Sequence, residues 1–231
     1  PAQAVAWLEK AADGGHAAAQ YALGKLYRDG QYVGQDAEKA VELFTQAAEQ
    51  DNEFAAYALG KLYLSGEDIP KDVQVALKWL TMSVDHGNSF AQYTLGRLYL
   101  AGEDVPKDAA LAIRLLTQSA EQKNEFAAYQ LGKVYLTGED MPKDVEAAIR
   151  WLSRSAELGN QFAQYALGKL YLCGHDVPRD KEKARPLLEA SAAQGNLYAQ
   201  FLLDHWDSFH DPSAFLAATR LLHQTEESVP H

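Results

Sequence analysis

Apolar residues recur along this chain at helical spacing in short blocks, and the blocks themselves recur. Between Asn52 and Gly66, the residues Ala55, Leu59, Leu62 and Tyr63 fall on one face of a helix. Asn52 precedes them as an N-cap, because its side chain accepts from an N–H that no earlier carbonyl can reach. Gly66 follows as a stop. We call this the A helix. After the loop Glu67-Asp68-Ile69-Pro70-Lys71-Asp72, a second apolar set, Ala76, Trp79, Leu80 and Ser83, marks a B helix. Pro70 keeps the residue before it out of helical geometry. Asp72 caps the B helix and Gly87 ends it.

This pair is one of a series. The heptapeptide Tyr-Ala-Leu-Gly-Lys-Leu-Tyr begins at Tyr21 and returns, lightly varied, from Tyr57, Tyr93, Tyr129 and Tyr165, every 36 residues. A decayed copy starts at Phe201. The cap slots repeat with it, as Asn88, Asn124, Asn160 and Asn196, and as Asp36, Asp108, Asp144 and Asp180. The Gly87 slot holds Gly15, Gly159 and Gly195, but Asp51 and Lys123 in the other copies, where the stop signal is weaker. Ordering one hairpin costs on the order of 50 kcal/mol, at about 1.5 kcal/mol per residue. Two helices alone bury too little to offset that, so the hairpins must stack on one another.

The period therefore predicts an all-α solenoid of helix-turn-helix repeats forming a single domain over 1–231. Residues 1–15 read as an N-terminal half repeat, 16–195 as five repeats, 196–224 as a degenerate repeat with a capping helix, and 225–231 as a tail. Ala2 to Asp13 match a B helix without its A partner. Near the other end Asp204 and Asp207 replace the heptapeptide Gly and second Tyr, and Asp211 with Pro212 opens a last helix reaching about Gln224. Pro186 falls inside a B helix, where a kink is expected. Gly24, Gly60, Gly96, Gly132 and Gly168 sit mid-helix, where glycine costs about 1 kcal/mol against alanine. Their recurrence predicts a helix contact too close for a Cβ.

The pattern Ala163-x-x-x-Leu167-Gly168-x-x-Tyr171, followed by Asp180, Ala184 and Ser191-Ala192, resembles the Sel-one-like repeats of the tetratricopeptide-like superfamily. The resemblance covers nearly the whole chain. It implies a right-handed α/α superhelical solenoid whose A helices line the concave surface. It also implies a scaffold or adaptor role rather than a chemistry. The Gly-Glu-Asp-x-Pro-Lys-Asp loops and the stretch from Lys183 to Ser191 also resemble repeat tails of bacterial plasmid-mobilisation relaxases. No relaxase histidine cluster or tyrosine motif is recognisable.

Opposite the apolar face of the A helix lie Phe54, Ala58, Lys61 and Ser65, at about 100° per residue. The first slot repeats as Phe90, Phe126, Phe162 and Tyr198. The cationic slot repeats as Lys25, Arg97, Lys133 and Lys169, and the slot between them as Thr94, Gln130 and Ala166. Two readings stand side by side. Phe54, Lys61, Phe90, Arg97, Phe126, Gln130, Lys133, Phe162 and Lys169 form a groove for a peptide or partner protein, the rings giving area and the cations taking carboxylates or carbonyls. Alternatively the rings pack between adjacent A helices and the cations are solvated. The near-identity of the copies favours a generic surface, or a spacer or self-association segment of a larger bacterial protein.

Charge and chemistry narrow the field. The net charge is −11, so an acidic surface opposes direct nucleic-acid binding. No apolar run approaches the length of a membrane span, no signal-peptide pattern is present, and Pro1 falls partway through a repeat. Cys173 is the only cysteine, which excludes an intrachain disulfide and leans toward a cytoplasmic location. It has no flanking base to mark a nucleophile. The seven histidines, His16, His86, His175, His205, His210, His223 and His231, form no paired ligand motif. Glu67, Glu103 and Glu139 with Asp68, Asp104, Asp140 and Asp176 lie beside Lys71, Lys107, Lys143 and Arg179, read as a solvated loop edge without the calcium-loop pattern. Disulfide-rich relatives of the resembled family have been associated with penicillin binding, but their two cysteines per repeat are missing here. The expectation is a non-enzymatic, monomeric scaffold without metal or cofactor.

Overall fold

The computed structural model describes residues 2–207, and the expected cap at Asp211, the helix to Gln224 and the tail lie outside the described residues. Among the described residues there are twelve α-helices and no strand. They fall into two compact units, the first ending at Gln122 and the second beginning at Lys123. Unit 1 holds α1 (Ala2–Asp13), α2 (Ala17–Asp29), α3 (Ala37–Ala48), α4 (Glu53–Ser65), α5 (Val73–Asp85), α6 (Ser89–Ala101) and α7 (Ala109–Glu121). Unit 2 holds α8 (Glu125–Thr137), α9 (Val145–Glu157), α10 (Gln161–Cys173), α11 (Lys181–Ala193) and α12 (Leu197–Asp204). A and B helices alternate as expected, α1 being the unpaired B helix.

Capping sets the ends. Asn52 Oδ1 accepts from the Ala55 N–H at 2.9 Å, and Asp72 Oδ1 accepts from the Val75 N–H at 3.0 Å. The later Asn and Asp slots act likewise, whereas His16, in the first copy, makes no side-chain cap. Each A-to-B loop is closed by one backbone bond, such as the Asp72 N–H to the Tyr63 carbonyl at 2.9 Å. The Asp51 and Lys123 stops are as sharp as the glycine ones. Both residues adopt the left-handed conformation that Gly87 takes, with φ of 63° and 66°, at a steric cost glycine does not carry. At Asp51 the turn is held by local backbone bonds, the Asp51 N–H to the Ala48 carbonyl at 3.0 Å and the Asn52 N–H to the Ala47 carbonyl at 3.2 Å. Across Pro186, α11 runs without a break from Lys181 to Ala193.

Within a repeat, A packs on B through the mid-helix glycine. A Cβ on Gly60 would lie 2.5 Å from Leu80 Cγ, and one on Gly132 would lie 2.5 Å from Leu152 Cγ. Leu80 and Leu152 are fully buried there. Each buried leucine contributes about 1.5–3 kcal/mol, and the glycine lets it seat. In unit 1 the core runs from Val5, Leu23 and Leu43 through Phe44, Leu59 and Trp79 to Leu80, Leu95 and Leu115. In unit 2 it runs through Leu152 and Leu167 to Leu172, Leu188 and Leu202. Polar cross-links stitch the same contact. Ser83 Oγ donates to the Glu53 carbonyl at 2.7 Å, and Ser119, Ser155 and Ser191 repeat the bond. The last A helix is short: α12 ends at Asp204, where the heptapeptide glycine is lost.

Candidate interaction surface

Phe54 and Phe90 are the second residues of α4 and α6 in unit 1, and Phe126 and Phe162 the second residues of α8 and α10 in unit 2. Their exposures are 47%, 50%, 44% and 48%. The two sequence readings divide each ring between them. One side of Phe54 leans on Tyr21 of the preceding A helix, with centroids 6.1 Å apart, and Phe90 leans on Tyr57 at the same distance. In unit 2, Phe162 leans on Tyr129 at 6.0 Å and Tyr198 on Tyr165 at 5.8 Å. The other side of each phenylalanine faces water.

The cations stand beside these rings. Lys61, Arg97 and Lys133 are exposed, and Lys25 and Lys169 half-buried. Each is held over a tyrosine one turn earlier on its own helix: Lys25 over Tyr21 at 5.2 Å, Lys61 over Tyr57 at 6.0 Å, Arg97 over Tyr93 at 5.7 Å, Lys133 over Tyr129 at 5.8 Å and Lys169 over Tyr165 at 6.0 Å. An i, i+4 pair on one helix face permits this stacking. These tyrosines belong to the surface, although the apolar periodicity does not single them out. The signal was the fixed four-residue step from the heptapeptide's first Tyr to its Lys.

The slot between ring and cation is not an open position. Ala58 is only 6% exposed, and Thr94, Gln130 and Ala166 are half-buried. The small residues Ala58, Thr94 and Ala166 each line a recess there. The recess between α2 and α4 has a volume of about 600 Å³ and includes Tyr21, Lys25, Phe54, Tyr57, Ala58 and Lys61. The next, between α4 and α6, has about 380 Å³ and shares Tyr57, Lys61 and Ser65 with it. Their walls carry aromatic faces and ammonium groups, the chemistry that takes apolar side chains together with carboxylates.

In unit 2 a recess of about 290 Å³ includes Tyr129, Tyr165, Lys169, Cys173 and His175. The Tyr165 hydroxyl is buried without a hydrogen-bond partner, and burial pushes its pKa up to about 12. Burial also pushes the Cys173 thiol up, against the opposing pull of Lys169 and Arg179. His175 does share this recess, but a thiol held protonated at neutral pH is a poor nucleophile. Among the described residues no cluster of three His, Cys, Asp or Glu is placed to hold a metal ion, and no helix is long and apolar enough to cross a membrane.

The loop edge is exposed as read from sequence except at Asp140, which is half-buried, and it is also cross-linked between repeats. Lys71 Nζ lies 2.7 Å from Asp104 in unit 1, and Lys143 pairs with Asp176 in unit 2. The sequence could not show this, because the partners lie 33 residues apart.

The Sel1 repeat pattern matches residues 1–16, 17–52, 54–88, 89–124, 126–160 and 161–196. Among solved structures, the chain is similar to c5321, a protective antigen present in uropathogenic Escherichia coli strains displaying an SLR fold. The identity is 31% and the TM-score 0.81, over 92% of this chain and 45% of that one. The chain thus spans less than half the length of c5321. It is also similar to a Sel1 repeat protein from Oxalobacter formigenes, at 30% identity and a TM-score of 0.75, over 80% of this chain and 75% of that one. Immunity protein Pa5087 from Pseudomonas aeruginosa shares the fold at 23% identity and a TM-score of 0.54, over 82% and 72% of the two chains. No curated protein sequence matches the chain. The fold class is the all-α repeat solenoid, and Sel1 repeat proteins are generally interaction scaffolds rather than enzymes. With its repeats matched from residue 1 to residue 196, this chain belongs to the Sel1 repeat family.

Proposed function

We propose that the chain is a non-catalytic scaffold that binds a peptide or partner protein along the outer face of its A helices, the face that the tetratricopeptide-like resemblance puts on the concave side. The contact residues are Phe54, Lys61, Phe90 and Arg97 in unit 1, and Phe126, Gln130, Lys133, Phe162 and Lys169 in unit 2. The observation that carries this reading is the half-open state of the phenylalanines. Rings 44–50% exposed, repeated at one slot and flanked by cations, leave a large apolar area in water that a partner removes. The test is Phe90→Ala with Phe126→Ala. Each change weakens capture of the partner from extract of the source cell by about 1–2 kcal/mol and leaves the melting temperature nearly intact. Melting loss without binding loss assigns the rings to packing.

The near-identity of the central repeats favours a second reading, an architectural spacer or self-association segment of a larger protein. Light scattering across concentration separates the two. A chain that stays monomeric throughout loses the self-association version.

A further inference from the structure

We infer that the outer face of unit 1 takes an extended acidic segment laid across α2, α4 and α6, with a carboxylate at about every third residue. The inference deepens the scaffold reading and rests on it. Two neighbouring recesses share Tyr57, Lys61 and Ser65, so they form one continuous track. Along that track stand Lys25, Lys61 and Arg97, one per A helix. Each is propped over its tyrosine, and among the described residues none has a carboxylate within salt-bridge distance. Lys25 feels Asp29 only at longer range, and Asp29 is already bound by Arg28 at 2.6 Å.

Uncompensated cations are unexpected in a chain of net charge −11. Elsewhere in the same unit, Lys71 finds Asp104 and Lys39 finds Glu42. Among the described residues Lys10, Lys78 and Arg114 also lack a carboxylate, but only Lys25, Lys61 and Arg97 stand together along the two joined recesses. Their tyrosine supports hold each cation in place and so cut the ordering cost of a contact. Arg97 adds a planar fork suited to a carboxylate.

The spacing follows from packing. Neighbouring helices lie about 8–10 Å apart, and an extended chain advances about 3.3 Å per residue. A segment crossing the helices therefore meets a new cation roughly every three residues. The intervening side chains meet Phe54 and Tyr57 in the first recess and Tyr57, Leu64 and Tyr93 in the second, which favours apolar residues there. Glu67 and Asp68 stand in the first recess beside the A-to-B loop. They repel a carboxylate at that end and confine it to the Lys25 and Lys61 side.

The experiment uses the whole chain and a fluorescent synthetic peptide of about twelve residues, with Glu at every third position and Leu or Ser between. Binding is read by anisotropy. Control peptides carry Gln for Glu, or the same residues with the Glu clustered. The expected result is binding that weakens as salt rises, with a loss of about tenfold or more for the Gln peptide and a smaller loss for the clustered one. Lys61→Glu and the milder Lys61→Gln weaken the Glu peptide by about tenfold and about threefold, while Lys71→Glu stays within about twofold. Circular dichroism melting checks that each variant is folded. Equal binding of the Glu and Gln peptides overturns the acidic assignment. If Phe90→Ala still weakens them both, the scaffold reading survives alone. Failure of every peptide to bind overturns the inference as well. If Phe90→Ala and Phe126→Ala also leave the extract partner untouched, the scaffold reading falls with it.

Discussion

Helix α4 carries two faces that obey different neighbours. Toward α5 it is sealed: Gly60 lets Leu80 seat with no exposed surface, and Ser83 ties the first carbonyl of α4. Toward water it is open. Phe54 has one side on Tyr21, and Lys61 stands over Tyr57 with no carboxylate partner. The sealed face is completed by residues of the same repeat. The open face is only half completed, by the preceding repeat, and the rest is available. Dispersion and burial decide the first, whereas long side chains at a water boundary decide the second.

The sharpest way to break this contrast is Gly60→Val. A Cβ 2.5 Å from Leu80 Cγ forces the helices apart, and we expect a loss of about 3 kcal/mol in urea unfolding. The double variant with Leu80→Ala should lose less than the two single losses added together, because the clash is removed. If Phe54→Ala destabilises as much as Gly60→Val, the open face is core and the distinction collapses. Ser83→Ala is next. It strips one bond from the Glu53 carbonyl and should cost about 1 kcal/mol, with a comparable loss at Ser155→Ala in unit 2.

The smallest effect concerns the exposed edge. The His86 pKa is raised, first by its 2.8 Å bond to the Met82 carbonyl and then by Asp51, Glu53 and Asp85. A raised folded-state value means that protonation favours the folded form. The contribution is present in full below the ordinary value of 6.5 and is lost as pH rises through the folded-state value. Melting temperature should therefore fall slightly more between about pH 6 and pH 8 in the parent than in His86→Gln. Identical slopes would remove His86 from the account.

Much of this was legible in the chain itself. Asn52, Asp72 and Gly66 announced the helix ends because capping is a local contest for orphan backbone groups. The mid-helix Gly60 announced a close approach because its helical penalty needed a reason. The stop signal is weaker at Asp51 and Lys123, yet both residues take the left-handed geometry, because a short turn of fixed hydrogen bonding outweighs the preference of one side chain. Ala58 was read as surface and is buried, because the sequence gives no distance between one A helix and the next. Tyr57 was overlooked for the same reason. Its role depends on Phe90 arriving 33 residues later.

Periodicity and caps alone thus determined the helices, the repeat and the residue types on each face, since these depend on backbone geometry within a few residues. Tertiary structure decided which cations find carboxylates, which small residues become floors and how far each ring is covered. Those outcomes turn on separations of a few ångströms between segments some thirty residues apart, which a one-dimensional pattern does not encode.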